Sequence, residues 1–257
     1  MSGLGAFWGL YKREIIKIYR RPPALAMTFV QPIIWIIFFG SSLNGMPKEY
    51  LVQFFGTSNY IGFILPGQLA TSMLFIGTFS SMSIVWDRRF GFLKKILVTP
   101  APREAVFFSK VLGAVTRGLL QVPIMLAAAA AFGVRLPADF GGYLLWMAAL
   151  VLLGLGFSSI YLSVAMRSSD WQLPQLVANV LNLPLMFTST ALFPKTFYPA
   201  WMRAIADVNP ITFATEIGRG VVLSDPYDAA ALAYLAVFAA ASTAVGLLVA
   251  KRFLTVE

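Results

Sequence analysis

Residues 140–166 read FGGYLLWMAALVLLGLGFSSIYLSVAM, without one charged side chain. A helix needs about 20 apolar residues to cross a hydrocarbon core of ~30 Å, so this run alone predicts a transmembrane span. Uncharged apolar runs of the same kind occupy 22–47, 50–86, 118–134, 171–194 and 229–250. The run at 118–134 is short, but the apolar stretch 111–116 extends it across Arg117. The reading is an all-α polytopic membrane protein of six spans, placed at 24–45, 59–86, 106–133, 140–166, 172–193 and 229–250. In the long second run, Leu51–Ser58 is expected as loop.

Basic residues set the orientation. Five Lys and Arg lie in residues 1–23 and six in 86–110; Arg167, Lys251 and Arg252 share their side, which collects fourteen of the chain's twenty. The other side carries Lys48, Arg135, Lys195, Arg203 and Arg219. Lys and Arg concentrate in cytoplasmic loops, so both termini are expected in the cytoplasm and the chain in the cell membrane. The net charge of +9 then reflects topology and anionic lipid, not nucleic acid, because the cations form no continuous soluble domain. A composition 58% hydrophobic and 12% charged leaves room for one integral domain, and the absence of Cys removes disulfide and thiolate chemistry. The 23-residue basic lead before a full-length span is unlike a cleaved signal peptide.

Outside the spans, residues 1–23 read as an interfacial helix. Leu4, Trp8, Tyr11, Ile15 and Ile18 recur at helical spacing, with Lys12, Arg13 and Lys17 on other faces, and Pro22 and Pro23 break the helix. Such a helix serves as an anchor or as a lever on the first span. The loop at 87–104 holds a second amphipathic pattern. Phe90, Leu93 and Leu97 share a face with Ile96 beside it, Arg89, Lys94 and Lys95 point elsewhere, and Pro100 and Pro102 end the helix. This pattern suits either a membrane-hugging loop or a short helix seated in a partner's groove.

This loop also resembles the cytoplasmic loop of ABC-2 type transporter permeases. Asp87-Arg88, Gly91, Leu93, Leu97, Thr99-Pro100 and Arg103 follow that family's order. Pro184 to Ser189 with Phe193-Pro194 is similar to its fifth span and exit, and Tyr198 to Arg203 with Asn209 to Phe213 is similar to its loop before the last span. Thr188-Ser189-Thr190-Ala191 departs from the family's usual Ser-Gly. The resemblance implies a transport subunit, not an enzyme, that exports cargo with energy borrowed from ATP-binding subunits. Two copies of that subunit would carry ATP and Mg, and they would dock through Asp87, Arg88, Phe90, Gly91, Leu93, Leu97, Thr99 and Pro100. A second permease copy, expected as a homodimer, would complete twelve spans. The residues agree in one respect: no Gly-Lys pair occurs, so the phosphate-cradling Gly-x-x-x-x-Gly-Lys-Ser/Thr loop is missing.

Polar groups within the spans are the remaining candidates. Gln172, Gln175, Asn179 and Asn182 fall on one face of the fifth span, as interhelical glue or as the lining of a translocation path. Gln68, Ser72, Phe79 and Ser83 form a milder stripe on the second span, and Gly154 with Ser158 a small-xxx-small pair on the fourth. Arg117 is expected to be the only charge inside a span, snorkelling, pairing with Asp87 or Glu104, or meeting substrate. In the external segment 194–228, Phe197, Trp201 and Ile205, then Phe213, Ile217 and Val221, predict two short re-entrant helices around Asn209-Pro210. Phe193, Trp201, Asn209, Pro210 and Phe213 are candidates for an outer gate, and Glu216 with Arg219 for a local ion pair. With no His, no Cys and no intramembrane acidic cluster, hydrolase chemistry has no residues to use. An ion-coupled carrier would bury more ionisable groups at the midplane. The cargo expected is an amphipathic drug-like or lipid-like molecule, the alternative being a lipid-linked polysaccharide or teichoic-acid-like glycan.

Overall fold

The computed structural model describes residues 3–20, 22–168, 170 and 172–254, and no strand occurs among them. Met1, Ser2 and Arg21 of the N-terminal segment lie outside the described residues. The order is α1 (Gly3–Tyr19), α2 (Pro22–Asn44), α3 (Lys48–Phe55), α4 (Tyr60–Arg89), α5 (Phe92–Leu97), α6 (Arg103–Leu119), α7 (Gln121–Ala131), α8 (Phe140–Arg167), α9 (Leu173–Phe187), α10 (Ala200–Ala206), α11 (Pro210–Leu223) and α12 (Ala231–Phe253). Among the described residues, four stretches are long and apolar enough to cross a membrane: Lys48–Arg89, Arg103–Ala131, Phe140–Arg167 and Ala231–Phe253. Thr28–Gly40 and Leu173–Phe187 are shorter apolar helices.

Helices α4 and α8 are the axis of the bundle, with α2, α6, α9, α11 and α12 packed around them. Lipid tails are as apolar as Leu, so helices in a membrane associate through close packing and buried polar bonds. The contact between α4 and α8 has both. Gly77 lies against the Phe157 and Ser158 backbone, where an added Cβ would come within 3.1 Å. One turn on, the Ser80 hydroxyl donates to the Ser158 carbonyl at 2.9 Å. Around this contact Leu65, Leu69, Met73, Trp146, Leu150, Leu153, Ile211 and Ile217 form a continuous buried core. Of the residues read as packing, Ser158 lies at this contact, Gly154 faces Val115 of α6 and Met73 of α4, and Ser83 of the second-span stripe bonds to Glu14 of α1.

Local chemistry sets the helix ends. Asn59 and Asp139 cap α4 and α8 through side-chain oxygens that accept from Ile61 N and Gly142 N, at 3.0 and 2.9 Å, as N-cap residues do. Three boundaries differ from expectation. The stretch expected as loop at 51–58 is helix α3 as far as Phe55: Leu51 and Phe55, four apart, bury one face against Tyr60, Phe63 and Leu192, and Gly56 ends it with a left-handed backbone, φ 68°. The third span breaks at Leu120 into α6 and α7. Pro123 has no N–H to return to the Leu119 carbonyl, so the hydrogen-bond ladder lapses there. The fifth span, expected to reach residue 193, stops at Phe187. There the Thr188 and Ser189 hydroxyls donate to the Pro184 and Met186 carbonyls at 2.8 and 2.7 Å, satisfying acceptors that a further turn would have used.

The tightest constraint is Gly67 of α4, whose added Cβ would fall 2.1 Å from the Ala191 carbonyl oxygen. Backbone cannot swing aside as a side chain can, so Gly67→Ala is expected to destabilise the chain by about 1–3 kcal/mol. Gly9 of α1 has nothing within 4 Å of an added Cβ, and Gly9→Ala is expected to be neutral or slightly stabilising, by up to ~1 kcal/mol. Thermal melts in detergent decide this, and a Gly67→Ala variant that melts with the parent would contradict the packing described.

Candidate coupling and translocation site

Helix α1 lies across the ends of α4 and α6, held there by charge. Asp87, in the last turn of α4, accepts from Arg13 Nη1 at 3.1 Å, Lys17 Nζ at 3.2 Å and Lys110 Nζ at 2.5 Å. Glu14 accepts from Lys17 at 2.8 Å and lies 3.4 Å from Lys110, while Ser83 donates to Glu14 at 2.9 Å. Lys110 is only 2% exposed; a buried ammonium survives only with partners and hydrogen bonds around it, and here it has both carboxylates and Ser83.

These contacts change two expectations. Of the cations expected to point away from the chain, Arg13 and Lys17 turn into it to pair with Asp87, and Glu14 and Ile18 are buried while Leu4 and Trp8 face outward. Arg117 is also not the lone charge among the helices, since Lys110 stands two turns before it in α6. The signal for Lys110 was present in the sequence, as a cation inside the stretch expected to span, at 106–133.

The loop after α4 is a wedge. Helix α4 continues to Arg89, Gly91 turns the chain with φ 68°, and α5 occupies only Phe92–Leu97, shorter than the helix expected over 87–99. Leu93, 5% exposed, and Ile96 insert among Ile84, Val85, Val106, Phe107 and Leu162, with Leu97 half-buried on them. The face expected to meet a partner therefore holds the loop to its own chain. Phe90 (71% exposed) and Val98 (73% exposed) are outward, as are Lys94, Lys95, Thr99 and Pro100. Arg88 ties the loop to the end of α8, donating to the Met166 carbonyl at 3.0 Å and to the Ser168 carbonyl.

Above the ion cluster, Arg117 donates from Nε and Nη2 to Thr28 Oγ1 of α2 at 3.1 and 2.6 Å, and its guanidinium lies 3.9 Å from the Phe79 ring centre. Neither carboxylate considered for it is the partner: Asp87 is held by the cluster, and Glu104 pairs with Lys251 at 3.2 Å. Beyond Phe79 lies a cavity of about 470 Å³ between α2, α4, α7 and α9, lined by Thr28, Gln68, Ser72, Gln121 and Met186 among others. Gln68 Nε2 and Gln121 Oε1 are buried there without hydrogen-bond partners. The expected stripe on the fifth span divides. Asn182 is buried and accepts from Tyr161 of α8, whereas Gln175 and Asn179 are exposed and bond to each other at 3.0 Å.

The candidate gate residues do not converge. Two helices, α10 and α11, do occupy the segment 194–228. Asn209 caps α11 at Ile211 N and donates to the Leu185 carbonyl at 2.8 Å, and Pro210 takes the first helical position, so this pair joins elements. Phe213 packs on Tyr234 at 4.2 Å between ring centres, Phe193 is half-buried, and Trp201 is 65% exposed. Glu216 pairs with Lys195 at 3.3 Å, not with Arg219. Arg219 instead clamps the end of the bundle opposite Asp87: it donates to the Thr190 carbonyl at 2.7 Å and to the Phe63 carbonyl at 3.3 Å, and lies 3.6 Å from the Phe63 ring centre. Both ends of the bundle are thus tied by cations, with a polar cavity between them.

Residues 5–223 match the ABC-2 type transporter family. The chain belongs to the ABC-2 type transporter family. Relatives include the putative transport permease ycf38 of Cyanophora paradoxa, 32% identical over 80% of this chain and 70% of that protein. The daunorubicin resistance ABC transporter permease protein DrrB1 of Streptomyces coeruleorubidus is 23% identical over 80% of this chain and 71% of its own length. The probable multidrug ABC transporter permease YbhR of Escherichia coli (strain K12) is 26% identical over 71% and 51% respectively. The matched region holds the ion cluster, the wedge, both cavity walls at Phe79 and the Arg219 clamp.

Two outcomes follow for the cluster. Asp87→Asn leaves Lys110 buried with a diminished counter-charge and is expected to destabilise the chain by about 3 kcal/mol or more; Asp87→Asn with Lys110→Met should recover part of that in a thermal melt. Burial alone would raise the Glu14 carboxyl, but the Lys110 and Lys17 ammoniums hold it below its ordinary value of 4.5. A carboxylate so depressed stabilises the folded chain above its ordinary value and loses that contribution as pH falls through the lowered one. Melting temperature should therefore drop below about pH 4.5, and drop less in Glu14→Gln.

Proposed function

We propose that this chain is the membrane subunit of an ATP-driven exporter, with both termini cytoplasmic, working as two copies around a central path. ATP-binding subunits, which carry the nucleotide and Mg, seat on the outward face of the 87–104 loop at Phe90, Lys94, Lys95, Val98, Thr99 and Pro100. The cargo is an amphipathic drug-like or lipid-like molecule moved out of the cytoplasm or inner leaflet.

The observation that carries this reading is the wedge. Leu93 and Ile96 lock α5 between the ends of α4, α6 and α8, and Arg88 bolts the loop to α8, so a push on α5 moves three spans together. The cluster at Asp87 adds α1 to that rigid group. The exposed cations Lys94 and Lys95 on α5, flanked by the exposed apolar Phe90 and Val98, suit a groove with an acidic rim. Drug resistance in the names of relatives such as DrrB1 supports export, and the cavity walled by Gln68, Thr71 and Gln121 suits a cargo with a polar part.

Affinity purification from native membrane in mild detergent should recover a stoichiometric ATP-binding subunit. Phe90→Asp with Val98→Asp should abolish its recovery and nucleotide-dependent transport while leaving the melting temperature of the isolated chain within about 2 °C, since substitutions at exposed sites outside the packing change stability by at most about 0.5 kcal/mol. Leu93→Ala with Leu97→Ala should instead lower that temperature. A chain that purifies alone, or a Phe90/Val98 variant that keeps its partner, overturns the docking assignment.

A further inference from the structure

A cavity of about 610 Å³ lies below Phe79, between α1, α4 and α6, within the range of small-ligand sites, ~300–1,000 Å³. Its wall carries the cations Arg13, Lys17, Lys110 and Arg117 against the carboxylates Glu14 and Asp87. Four cations against two anions leave two positive charges in excess. The mouth is aromatic and apolar: Phe79, Met82 and Trp86 recur along one face of α4 and Phe90 follows just past its end, and Phe79, Trp86 and Phe90 are exposed. The cavity thus opens sideways along a helix that crosses the membrane, cationic at its floor and apolar at its lip.

We propose that this cavity binds the phosphate head group of a membrane amphiphile, held by Lys17 and Arg117, with the apolar body lying over Phe79, Met82 and Trp86. The lip matches acyl chain or ring, and the floor matches an anion; neither alone would select a molecule having both. A second copy of the chain is the poorer occupant, because a two-fold related copy would bring an equally cationic cavity toward this one. Arg117 has a further part. It lines this cavity while its partner Thr28 lines the second one, and Phe79, on which it stacks, lines both. A phosphate drawing the guanidinium away from Thr28 and Phe79 would loosen the wall between the two cavities.

The inference takes the ligand's membrane origin and its onward route from the transporter reading, so the test uses binding alone, without nucleotide or ATP-binding subunit. A negative result would leave the transporter reading standing, and a lost ATP-binding partner would leave this site standing. The purified full-length chain in mild detergent is titrated with short-chain phosphatidic acid, its phosphatidylcholine counterpart and inorganic phosphate, with binding read by native mass spectrometry. Phosphatidic acid is expected to bind at least about tenfold more tightly than phosphatidylcholine, as a charge-assisted, bidentate contact warrants, and inorganic phosphate to displace it poorly. Arg117→Gln and Lys17→Gln should each remove most of that preference, with Arg117→Lys retaining part of it. Lys12→Gln with Arg20→Gln takes two exposed charges, on α1 and just past its end, that lie outside the cavity, and should alter binding less than about twofold. If that control weakens phosphatidic acid as much as Arg117→Gln does, the attraction is general surface charge and the site is overturned. Equal binding of phosphatidylcholine, or full displacement by inorganic phosphate at equal concentration, overturns it as well. Should Arg117→Gln fold poorly, Phe79→Ala is the second variant, expected to weaken the lipid and leave inorganic phosphate unchanged.

Discussion

A charge removed from water must find an opposite charge, and in this protein that requirement is met at Asp87. Its carboxylate, at the end of the bundle's central helix, accepts from α1 and α6 together. Removing a partner from a buried ion pair costs about 3–5 kcal/mol, so α1 cannot rotate without taking Arg13, Glu14 and Lys17 away from Lys110 and Asp87. The orientation of α1 and the floor of the cavity beside it follow from that pairing. Nearest-neighbour packing then completes the assembly: Gly77 brings α4 onto α8, and Leu93 and Ile96 fill the notch below.

The chemistry at the two ends differs in kind. At the Asp87 end, cations and carboxylates form a network spread over three helices. At the opposite end Arg219 is satisfied by two backbone carbonyls and an aromatic face, so it holds α4, α11 and the chain after α9 by dipoles. One of these carbonyls, that of Thr190, lies just past the stop of α9 at Phe187, and the other, that of Phe63, belongs to the first turn of α4. Between these ends Gln68 and Gln121 each keep a buried polar atom without a hydrogen-bond partner beside a cavity.

Much of the fold was legible from one dimension of the sequence, its alternation of long apolar runs with charge. The runs at 140–166 and 229–250 correspond closely to α8 and α12, because a span needs little more than length and the absence of charge. The helices in 194–228 followed from residues at helical spacing bounded by Asn209-Pro210, whose cap and first-turn proline are local chemistry. The break at Pro123 was present in the sequence too, but the apolar pattern ran through it and hid the lost hydrogen bond.

What the periodicity misjudged was direction. Phe90 falls before the turn at Gly91 and points outward, whereas Leu93 is buried and Leu97 half-buried; whether a face meets a partner or its own chain depends on what stands opposite, and Val106, Phe107 and Leu162 come from elsewhere in the sequence. Glu14 and Lys110 meet across 96 positions, and Arg117 meets Thr28 across 89. The sequence by itself determined membrane residence, the family and the order of the long apolar helices, because these depend on composition and local spacing. Only the tertiary structure decided which charges are buried together, which face of α5 is outward, and where the cavities lie, because those depend on side chains that long-range folding brings within a few ångströms.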